Sequence, residues 1–414
     1  MMIRVEEALG KILDAIVCLD VEKVDILDAL GRVIGEEIHA PRDLPPVCNS
    51  AMDGYAVRAA DTVNAGPENP VVLDVIEDIP AGVFPEREVG PGQASRIMTG
   101  APLPQGADAV VRLEDTKIEG KRVLVLVPMT LGTDIRLAGE DVRKGELVIS
   151  RGTVIRPAEV GMMAALGRSF VFVHQKPLVA ILATGDELMD IDEDSSSWKI
   201  ISSNSYSTAA QVLESGAVPL QLGIARDRRD DLIRKFQAAT RADIIISSGG
   251  VSVGDYDLVK DIMKEVGNRM HFWQVAMRPG KPLAFGSLGG VPLFGLPGNP
   301  VSSMVSFEQF VRPSLLKMMG HKRLFRKMIE ATLEEDIAKK EGMRYFFRAQ
   351  VRREGGHYLA SMTGEQGSGI LKSMVLANGL IVLSEEATGA QKGEKVAVQL
   401  LDGSLDQMDV CSFE

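Results

Sequence analysis

Residues 178–187 read LVAILATGDE, and this stretch decides the fold. Six apolar residues in a row, followed by a threonine, a glycine and two acids, are typical of a buried strand that ends in a turn. In an open parallel sheet, ligands bind beyond the carboxyl ends of the strands. The stretch therefore predicts a central strand with a functional turn behind it.

The segments that follow alternate between the two kinds of element. Helical spacing predicts helices over 204–214, 230–239 and 258–266, and apolar runs predict strands over 218–223 and 243–247. Two more strands, 283–285 and 292–296, lead into a helix over 301–319. This alternation predicts a doubly wound parallel sheet covered by helices.

The regions on either side of this segment lack the alternation of strands and helices. The amino-terminal region begins with helical spacing over 5–17 and continues in β-like runs, such as 71–73 and 123–125, between proline and glycine clusters. The carboxyl-terminal region again reads as short strands with glycine turns. We predict a multidomain α/β plus β protein, divided into an irregular α+β region (1–175), the α/β domain (176–321) and a small β domain (322–414).

Composition excludes several classes of protein. The net charge of −11 disfavours binding to nucleic acid or to an anionic membrane surface, and an anionic substrate would need a local basic pocket. Cys18, Cys48 and Cys411 lack the CxxC spacing of a zinc site or a disulfide framework. No apolar run approaches the ~18 residues of a membrane span, and the amino terminus has no signal-like core. We expect a cytoplasmic protein.

Three turns behind predicted strands carry unusual residues. Residues 184–187 offer two acids for a divalent cation, 247–254 combine glycines and hydroxyls beside Asp255 and Asp257, and 296–300 precede a helix. Any one alone is more often a plain βα turn, but together on one sheet edge they predict a crevice for phosphate and metal. The substrate-binding candidates are Ser248, Gly249, Gly250, Gly254, Pro297, Gly298, Asn299 and Pro300.

The usual nucleotide fingerprints are missing. There is no GxGxxG, and Gly280-Lys281 is followed by Pro282 instead of Ser or Thr, which argues against a generic NAD enzyme or a P-loop ATPase. Instead, residues 277–282 fix two cations between prolines, an arrangement suited to a small oxyanion, although a solvated turn explains that stretch alone equally well. Residues 49–57 place small and polar residues beside an acid.

Taken in order, seven motifs resemble the MoeA and gephyrin E-domain family of molybdopterin molybdenumtransferases. They span nearly the whole chain and lie at residues 45–57, 96–102, 139–141, 184–188, 248–254, 279–282 and 296–300. The resemblance implies an elongated homodimer with a discontinuous amino-terminal half of two subdomains. It also implies a middle domain similar to the molybdopterin adenylyltransferases and a carboxyl-terminal β-barrel-like domain.

The resemblance implies a reaction as well. Adenylylated molybdopterin and molybdate would give the molybdenum cofactor and AMP, with Mg²⁺ assisting. Partners would be a second copy of the chain, a molybdopterin adenylyltransferase and apo-molybdoenzymes. The matching functional positions are, for catalysis, Asp53, Thr99, Asp141, Glu187, Asp227 and Asp257; for the metal, Glu187 and Asp257; and for molybdate, Arg278, Lys281, Arg348 and Ser368.

Two departures and two alternatives accompany the resemblance. Cys48 stands where many relatives have an acid, and Arg278 stands where they often have lysine, which keeps the charge but exchanges an ammonium for a planar fork.

The middle domain alone would also fit an adenylyltransferase that loads AMP onto molybdopterin. A non-catalytic, gephyrin-like scaffold is the other alternative, although no long Pro/Ser linker supports it.

Overall fold

A computed structural model describes residues 2–193, 198–226, 228–249, 268–272 and 274–406. The chain forms two compact units. One contains Met1–Lys23 with Phe172–Glu414, and the other contains Val24–Val171. The domain boundaries predicted at 175/176 and 321/322 stay a prediction.

Helix α1 (Val5–Ala15) and strand β1 (Val21–Asp25) come first in the chain, and α1 confirms most of the helix predicted over 5–17. Helix α1 belongs to the unit that contains Phe172–Glu414. The Val24–Val171 unit has two short 3₁₀ helices, Ala59–Thr62 and Leu113–Asp115. Its strands and its α-helix are β2 (Ile38–His39), β3 (Asn49–Ser50), β4 (Gly54–Val57), β5 (Val71–Ile79), β6 (Gln93–Ile97), β7 (Ala109–Arg112), β8 (Thr116–Glu119), β9 (Arg122–Val125), β10 (Ile135–Arg136), β11 (Leu147–Ile149) and α2 (Pro157–Ala165).

A six-stranded sheet in the order β7-β4-β6-β5-β9-β8 forms the centre of this unit. The β-like runs predicted over 71–73 and 123–125 pair with each other, Val71 opposite Val125. Because side chains alternate along a strand, Tyr55 packs into one core and Ala56 into another on the opposite face. The irregular α+β character predicted for this part of the chain is confirmed.

The other unit has its own set of elements. They are β12 (Phe170–His174), β13 (Leu178–Thr184), β14 (Leu188–Met189), β15 (Ile200–Ile201), α3 (Ser203–Glu214), β16 (Val218–Ala225), α4 (Arg229–Ala239), β17 (Ile244–Ser248), β18 (Asn268–Phe272), β19 (Met277–Arg278), β20 (Ala284–Leu288), β21 (Val291–Leu296), α5 (Pro300–Ser306), a π-helical turn (Phe307–Val311), α6 (Arg312–Met318), β22 (Met328–Leu333), β23 (Ile337–Ala338), β24 (Arg344–Glu354), β25 (His357–Met362), α7 (Lys372–Val375), β26 (Gly379–Leu383), β27 (Gly389–Ala390), β28 (Lys395–Leu400) and a 3₁₀ turn (Ser404–Asp406).

The central sheet has the order β16-β13-β17-β21-β20-β18. Its first four strands are parallel, and β20 and β18 continue it antiparallel. Alternate residues of β13 bury on opposite faces: Val179 packs with Val212 of α3, and Ala180 packs with Phe236 of α4. The predicted doubly wound sheet is therefore confirmed, while the helix predicted over 258–266 lies outside the described residues.

The helix predicted over 301–319 is interrupted by a wide turn. The chain is helical from Pro300 to Met318, but Phe307–Val311 form a π turn in the middle. Pro313 has no N–H to donate to the carbonyl one turn back, and its ring would crowd that carbonyl in a regular α-helix. The wider π turn just before Pro313 accommodates the ring.

The last strands close into a small barrel. They run β24-β25-β22-β28-β26, and β26 pairs back to β24. Strand β19 pairs in parallel with the start of β24, with Met277 opposite Arg344 and Arg278 opposite Tyr345. This pairing fixes the segment with the two predicted cations to the barrel wall.

Candidate active site

The three predicted ligand turns begin side by side. In the register of β13, β17 and β21, Ala183 lies opposite Ser248, and Ser248 lies opposite Leu296. Because the strands are parallel, their carboxyl ends meet at one edge of the sheet, where ligands of this architecture bind.

Gly185 allows the first turn to fold onto itself. Its φ of +139° is strained for any other residue, and a β-carbon there would collide with the carboxylate of Glu187. The backbone carbonyl of Glu187 accepts the N–H of Ile200 at 2.9 Å. The turn thereby holds the Glu187 carboxylate close over the end of β13.

Gly249 makes the second turn equally close. Its φ is +83°, and a β-carbon would lie 2.7 Å from the carbonyl oxygen of Thr184. The Gly249 N–H donates to the carbonyl of Leu296 at 3.3 Å. A larger residue would separate the ends of β13 and β17, so glycine is required by packing at this position.

The third turn is held from two directions. The side-chain amide of Asn204 donates to the carbonyl of Gly298 at 2.8 Å. The amide of Asn299 donates to the hydroxyl of Ser368 at 3.0 Å, and the N–H of Val301 donates to the carbonyl of Ser368 at 3.1 Å. The turn is thus fixed to α3 on one side and to a loop of the barrel region on the other.

A cavity of about 610 Å³, here called the central cavity, opens between these turns and the basic segment. This volume is in the usual range for a small-molecule site. Eight of the predicted site residues line it: Glu187, Gly249, Arg278, Lys281, Pro297, Gly298, Asn299 and Ser368.

Two further cavities share walls with the central cavity. The strand-end cavity (370 Å³) shares Glu187 and Gly298 and is also lined by the predicted Ser248 and Pro300. The barrel cavity (420 Å³) shares Arg278 and is lined by Arg348. We call these three adjoining cavities, between the sheet edge and the barrel, the trough.

The basic segment lies at the junction of the central and barrel cavities. The guanidinium of Arg278 lies 5.7 Å from the ring centre of Tyr345, which orients it by cation–π attraction. Gly280, with φ +107°, approaches α5 so closely that a β-carbon would lie 2.6 Å from the hydroxyl of Ser306. The two cations are thereby held on a rigid backbone.

Arg348 is a buried cation with neutral partners. Its side chain is 1% exposed, its Nε donates to the hydroxyl of Ser373 at 3.1 Å, and its Nη2 donates to the carbonyl of Gly367 at 3.2 Å. Burial lowers the pKa of this guanidinium to about 10, so it remains charged at neutral pH. In the described part of the chain no carboxylate pairs with it, which favours binding of an anion beside it.

Asp53, Thr99 and Asp141 lie in the Val24–Val171 unit. One carboxylate oxygen of Asp53 accepts both the N–H of Thr99 (2.7 Å) and its hydroxyl (2.8 Å). These bonds, the backbone one first, lower the pKa of Asp53, so the carboxyl stays ionised at neutral pH. Asp141 is exposed, and its N–H donates to the carbonyl of Leu44 at 3.0 Å.

Four predicted site residues lie outside the described residues: Asp227, Gly250, Gly254 and Asp257. The metal pair predicted from Glu187 and Asp257 is therefore described only on the Glu187 side. Within the described ranges, no three His, Cys, Asp or Glu side chains converge in a way that could hold a metal.

Sequence reasoning missed several residues that line the trough. Asn204, Gln366, Lys339, Lys340 and Tyr345 all contribute to its walls. The adjacent lysines could have been found by searching an acidic chain for paired cations. Asn204 and Gln366 carry no such signal, because their importance depends on which backbone groups they meet.

The fold and the trough define a class of multidomain protein with a doubly wound α/β domain and a terminal barrel. Three family models match in order: "MoeA N-terminal region (domain I and II)" over residues 3–167, "Probable molybdopterin binding domain" over 180–317 and "MoeA C-terminal region (domain IV)" over 330–401. None of the helices in the described ranges is both long and apolar enough to span a bilayer.

Similar proteins cover the chain almost completely. A molybdopterin molybdenumtransferase of Bacillus subtilis is 38% identical over 92% of this chain and 90% of its own length. Molybdopterin molybdenumtransferase 2 of Mycobacterium tuberculosis is 39% identical over 91% and 94%. The crystal structure of a molybdopterin biosynthesis MoeA protein from Pyrococcus horikoshii matches with a TM-score of 0.82 at 34% identity, covering 97% of this chain and all of that one. The chain belongs to the MoeA family of molybdopterin molybdenumtransferases.

Proposed function

We propose that this chain inserts molybdate into adenylylated molybdopterin, which releases AMP and forms Mo-molybdopterin with the assistance of Mg²⁺. Membership of the family makes it a transferase of molybdenum cofactor biosynthesis. The observation that carries the finer proposal is the central cavity, where phosphate-type turns and two cations face the same space.

Charge is distributed along the trough as this reaction requires. The chain carries a net charge of −11, yet Arg278 and Lys281 line the central cavity and Arg348 lines the barrel cavity. Glu187 is the one carboxylate among the described residues that line the three cavities. A molybdate dianion would bind at the cationic end, and the phosphates would bind at the glycine turns near Glu187.

The residues act mainly by positioning. The glycine turns hold the phosphoanhydride, and the basic segment holds molybdate next to the dithiolene sulfurs, so that reactants meet at high effective concentration. The fixed guanidinium and ammonium groups stabilise negative charge without reorganising during the reaction. No covalent bond between the chain and its substrate is required.

Glu187 and Asp257 would hold Mg²⁺ at the sheet edge. The carboxylate of Glu187 lies with hydroxyls of Thr184 and Ser248 around the strand-end cavity, and hard oxygen donors of this kind suit the ion. The hydroxyl of Thr184 is buried and has no hydrogen-bond partner in the described part of the chain. When bound, Mg²⁺ neutralises phosphate charge and helps AMP to leave.

The remaining parts of the proposal rest on family membership. We place the protein in the cytoplasm as a homodimer in which Asp53 and Thr99 of one protomer face the crevice of its partner. A molybdopterin adenylyltransferase would supply the substrate, and apo-molybdoenzymes would receive the product.

Titration of molybdate against AMP release tests the function. Lys281→Ala should raise the molybdate concentration needed for half-maximal AMP release roughly ten- to a hundredfold, since a charge-assisted contact contributes ~1.5–3 kcal/mol. Arg278→Lys should have a smaller effect, because it keeps the charge and loses only the planar fork. Lys322→Ala is the matched control, since Lys322 is exposed and lines none of the three cavities.

Two results would contradict the proposal. An unchanged molybdate requirement in Lys281→Ala would place the oxyanion elsewhere. Transfer of AMP from ATP onto molybdopterin by the wild-type protein, without molybdate-dependent AMP release, would instead make it an adenylyltransferase.

A further inference from the structure

The side chain of Gln366 forms hydrogen bonds to the backbone of Arg348, just beyond the end of β25. Strand β25 ends at Met362, opposite Ala349 of β24. At the next position towards the cavities, Oε1 of Gln366 accepts the N–H of Arg348 at 2.8 Å. Nε2 of Gln366 donates to the carbonyl of Arg348 at 3.1 Å and to that of Gly364 at 3.0 Å. The N–H of Thr363, the residue after β25, also donates to the Arg348 carbonyl at 3.0 Å, so the carboxamide supplies the acceptor for the Arg348 N–H and a second donor to its carbonyl.

The loop that contains Gln366 also holds the guanidinium of Arg348. The carbonyl of Gly367, the next residue, accepts from Nη2 at 3.2 Å, and Ser368 binds Asn299 across the central cavity. Gln366 itself lines both the central and the barrel cavity. One side chain therefore fixes the backbone of Arg348 and the loop that brings Gly367 and Ser368 to the cavities.

We infer that Gln366 is a positioning residue for the oxyanion, which it serves by locking Arg348 and the Ser368 loop into one arrangement. This inference rests on the proposed function, because it concerns the same molybdate pocket. Gln366 acts through Arg348 and Ser368, so its loss affects the geometry around the anion, while Asn204 of α3 still holds the turn at Gly298.

The same strand contains a natural control for this role. Three residues along β24, Oδ1 of Asn378 accepts the N–H of Val351 at 2.7 Å, and Nδ2 of Asn378 donates to the carbonyl of Val351 at 2.9 Å. Asn378 makes the same pair of bonds to the same strand but lines none of the three cavities. Removing either side chain costs the barrel two similar bonds, whereas only Gln366 adjoins the proposed anion.

The experiment compares Gln366→Ala, Asn378→Ala and Gln366→Glu in the full-length protein. Half-saturating molybdate, half-saturating adenylylated pterin, maximal rate and Tm are measured for each. Gln366→Ala should raise half-saturating molybdate about tenfold, with the pterin value within twofold of wild type, because the anion side alone is disturbed. Asn378→Ala should lower Tm by a similar amount and leave both half-saturation values unchanged.

Gln366→Glu keeps the shape and the acceptor oxygen and replaces the amide donor with negative charge. It should raise half-saturating molybdate more than Gln366→Ala does, because a carboxylate beside the cavities repels a dianion. It also remains informative if Gln366→Ala does not fold.

Three outcomes would overturn the inference: equal effects of Gln366→Ala and Asn378→Ala on half-saturating molybdate, no effect of either Gln366 variant, or a parallel rise in the pterin value. Lys281→Ala, run alongside, separates this failure from failure of the proposed function. If Lys281→Ala raises the molybdate requirement and the Gln366 variants do not, the pocket stands and the positioning role falls.

Discussion

The side-chain amide of Asn299 donates to the hydroxyl of Ser368 at 3.0 Å, although 69 residues separate them in the chain. Asn299 belongs to the turn behind β21, and Ser368 belongs to the loop between β25 and α7. Their bond closes one wall of the central cavity. The turn expected to bind phosphate and the loop expected to bind oxyanion are therefore held as one structure.

Ser368→Ala tests what this bond contributes. Loss of the hydroxyl leaves the Asn299 amide without its acceptor, and a neutral hydrogen bond contributes ~0.5–1.5 kcal/mol, so the molybdate requirement should rise roughly two- to tenfold. Ser368→Thr keeps the hydroxyl and should stay closer to wild type. Ser361→Ala on β25, outside the three cavities, is the control. A molybdate requirement in Ser368→Ala equal to that of Ser361→Ala would remove Ser368 from the site.

Gly185→Ala should imitate the loss of the Glu187 carboxylate. A β-carbon at position 185 collides with that carboxylate and displaces it from the sheet edge. We expect Gly185→Ala, like Glu187→Gln and Asp257→Asn, to abolish Mg²⁺-dependent release of AMP while the fold remains intact.

The control for that substitution is Gly290→Ala. Gly290 also has a positive φ, +87° against +139° at Gly185, but nothing lies within 4 Å of the added carbon. It carries the backbone strain without the collision, so its Mg²⁺ dependence should match wild type. If both variants lose activity equally, strain explains the loss and the placement of Glu187 does not.

Local pattern was sufficient to predict the central sheet and to place the glycine turns at one edge of it. The apolar run of β13 and the glycine turns behind it are properties of short segments, and parallel strands necessarily bring their carboxyl ends together. Gly249, Pro297, Gly298 and Asn299 accordingly line one cavity, as predicted from their positions behind strands.

The remaining features depend on pairings between distant segments. Arg278 meets Tyr345 only because β19 adds to β24 in one particular register, and a shift of one residue would turn the ring to the other face. Gln366 matters because its carboxamide accepts the N–H of Arg348 one position beyond the end of β25. Neither register nor strand length is specified by the residues themselves, so periodicity could not have identified these contacts.

The titration of Asp53 gives a test of its environment. Hydrogen bonds from the backbone and side chain of Thr99 lower the pKa of Asp53, so it should titrate below the ordinary aspartate value of ~3.9. A depressed folded-state pKa means that the ionised carboxylate stabilises the fold above the unfolded pKa and loses this effect as pH falls through the folded pKa.

Thr99→Val removes the hydroxyl bond and should raise the pKa of Asp53, whereas Thr99→Ser should not. The chemical shift of the Asp53 carboxyl carbon, followed by NMR as a function of pH, measures this pKa directly. A pKa in Thr99→Val equal to that of the wild type would contradict the hydrogen bond.

The proposed homodimer predicts complementation between two inactive variants. If Asp53 of one protomer serves the crevice of its partner, Asp53→Asn and Lys281→Ala damage different halves of one composite site. Each variant alone should have little activity at the molybdate concentration that half-saturates the wild-type protein. After mixing under conditions that exchange protomers, roughly half of the dimers are mixed and each contains one intact site, so activity should recover to about a quarter of wild type.

The Asp53→Asn, Lys281→Ala double variant, mixed with either single variant, should recover nothing beyond the single variants, because no crevice then has both groups. Sedimentation of each mixture verifies that exchange has occurred. Verified exchange without recovery would assign Asp53 to the crevice of its own chain, and a fully active monomer would exclude a site shared between protomers.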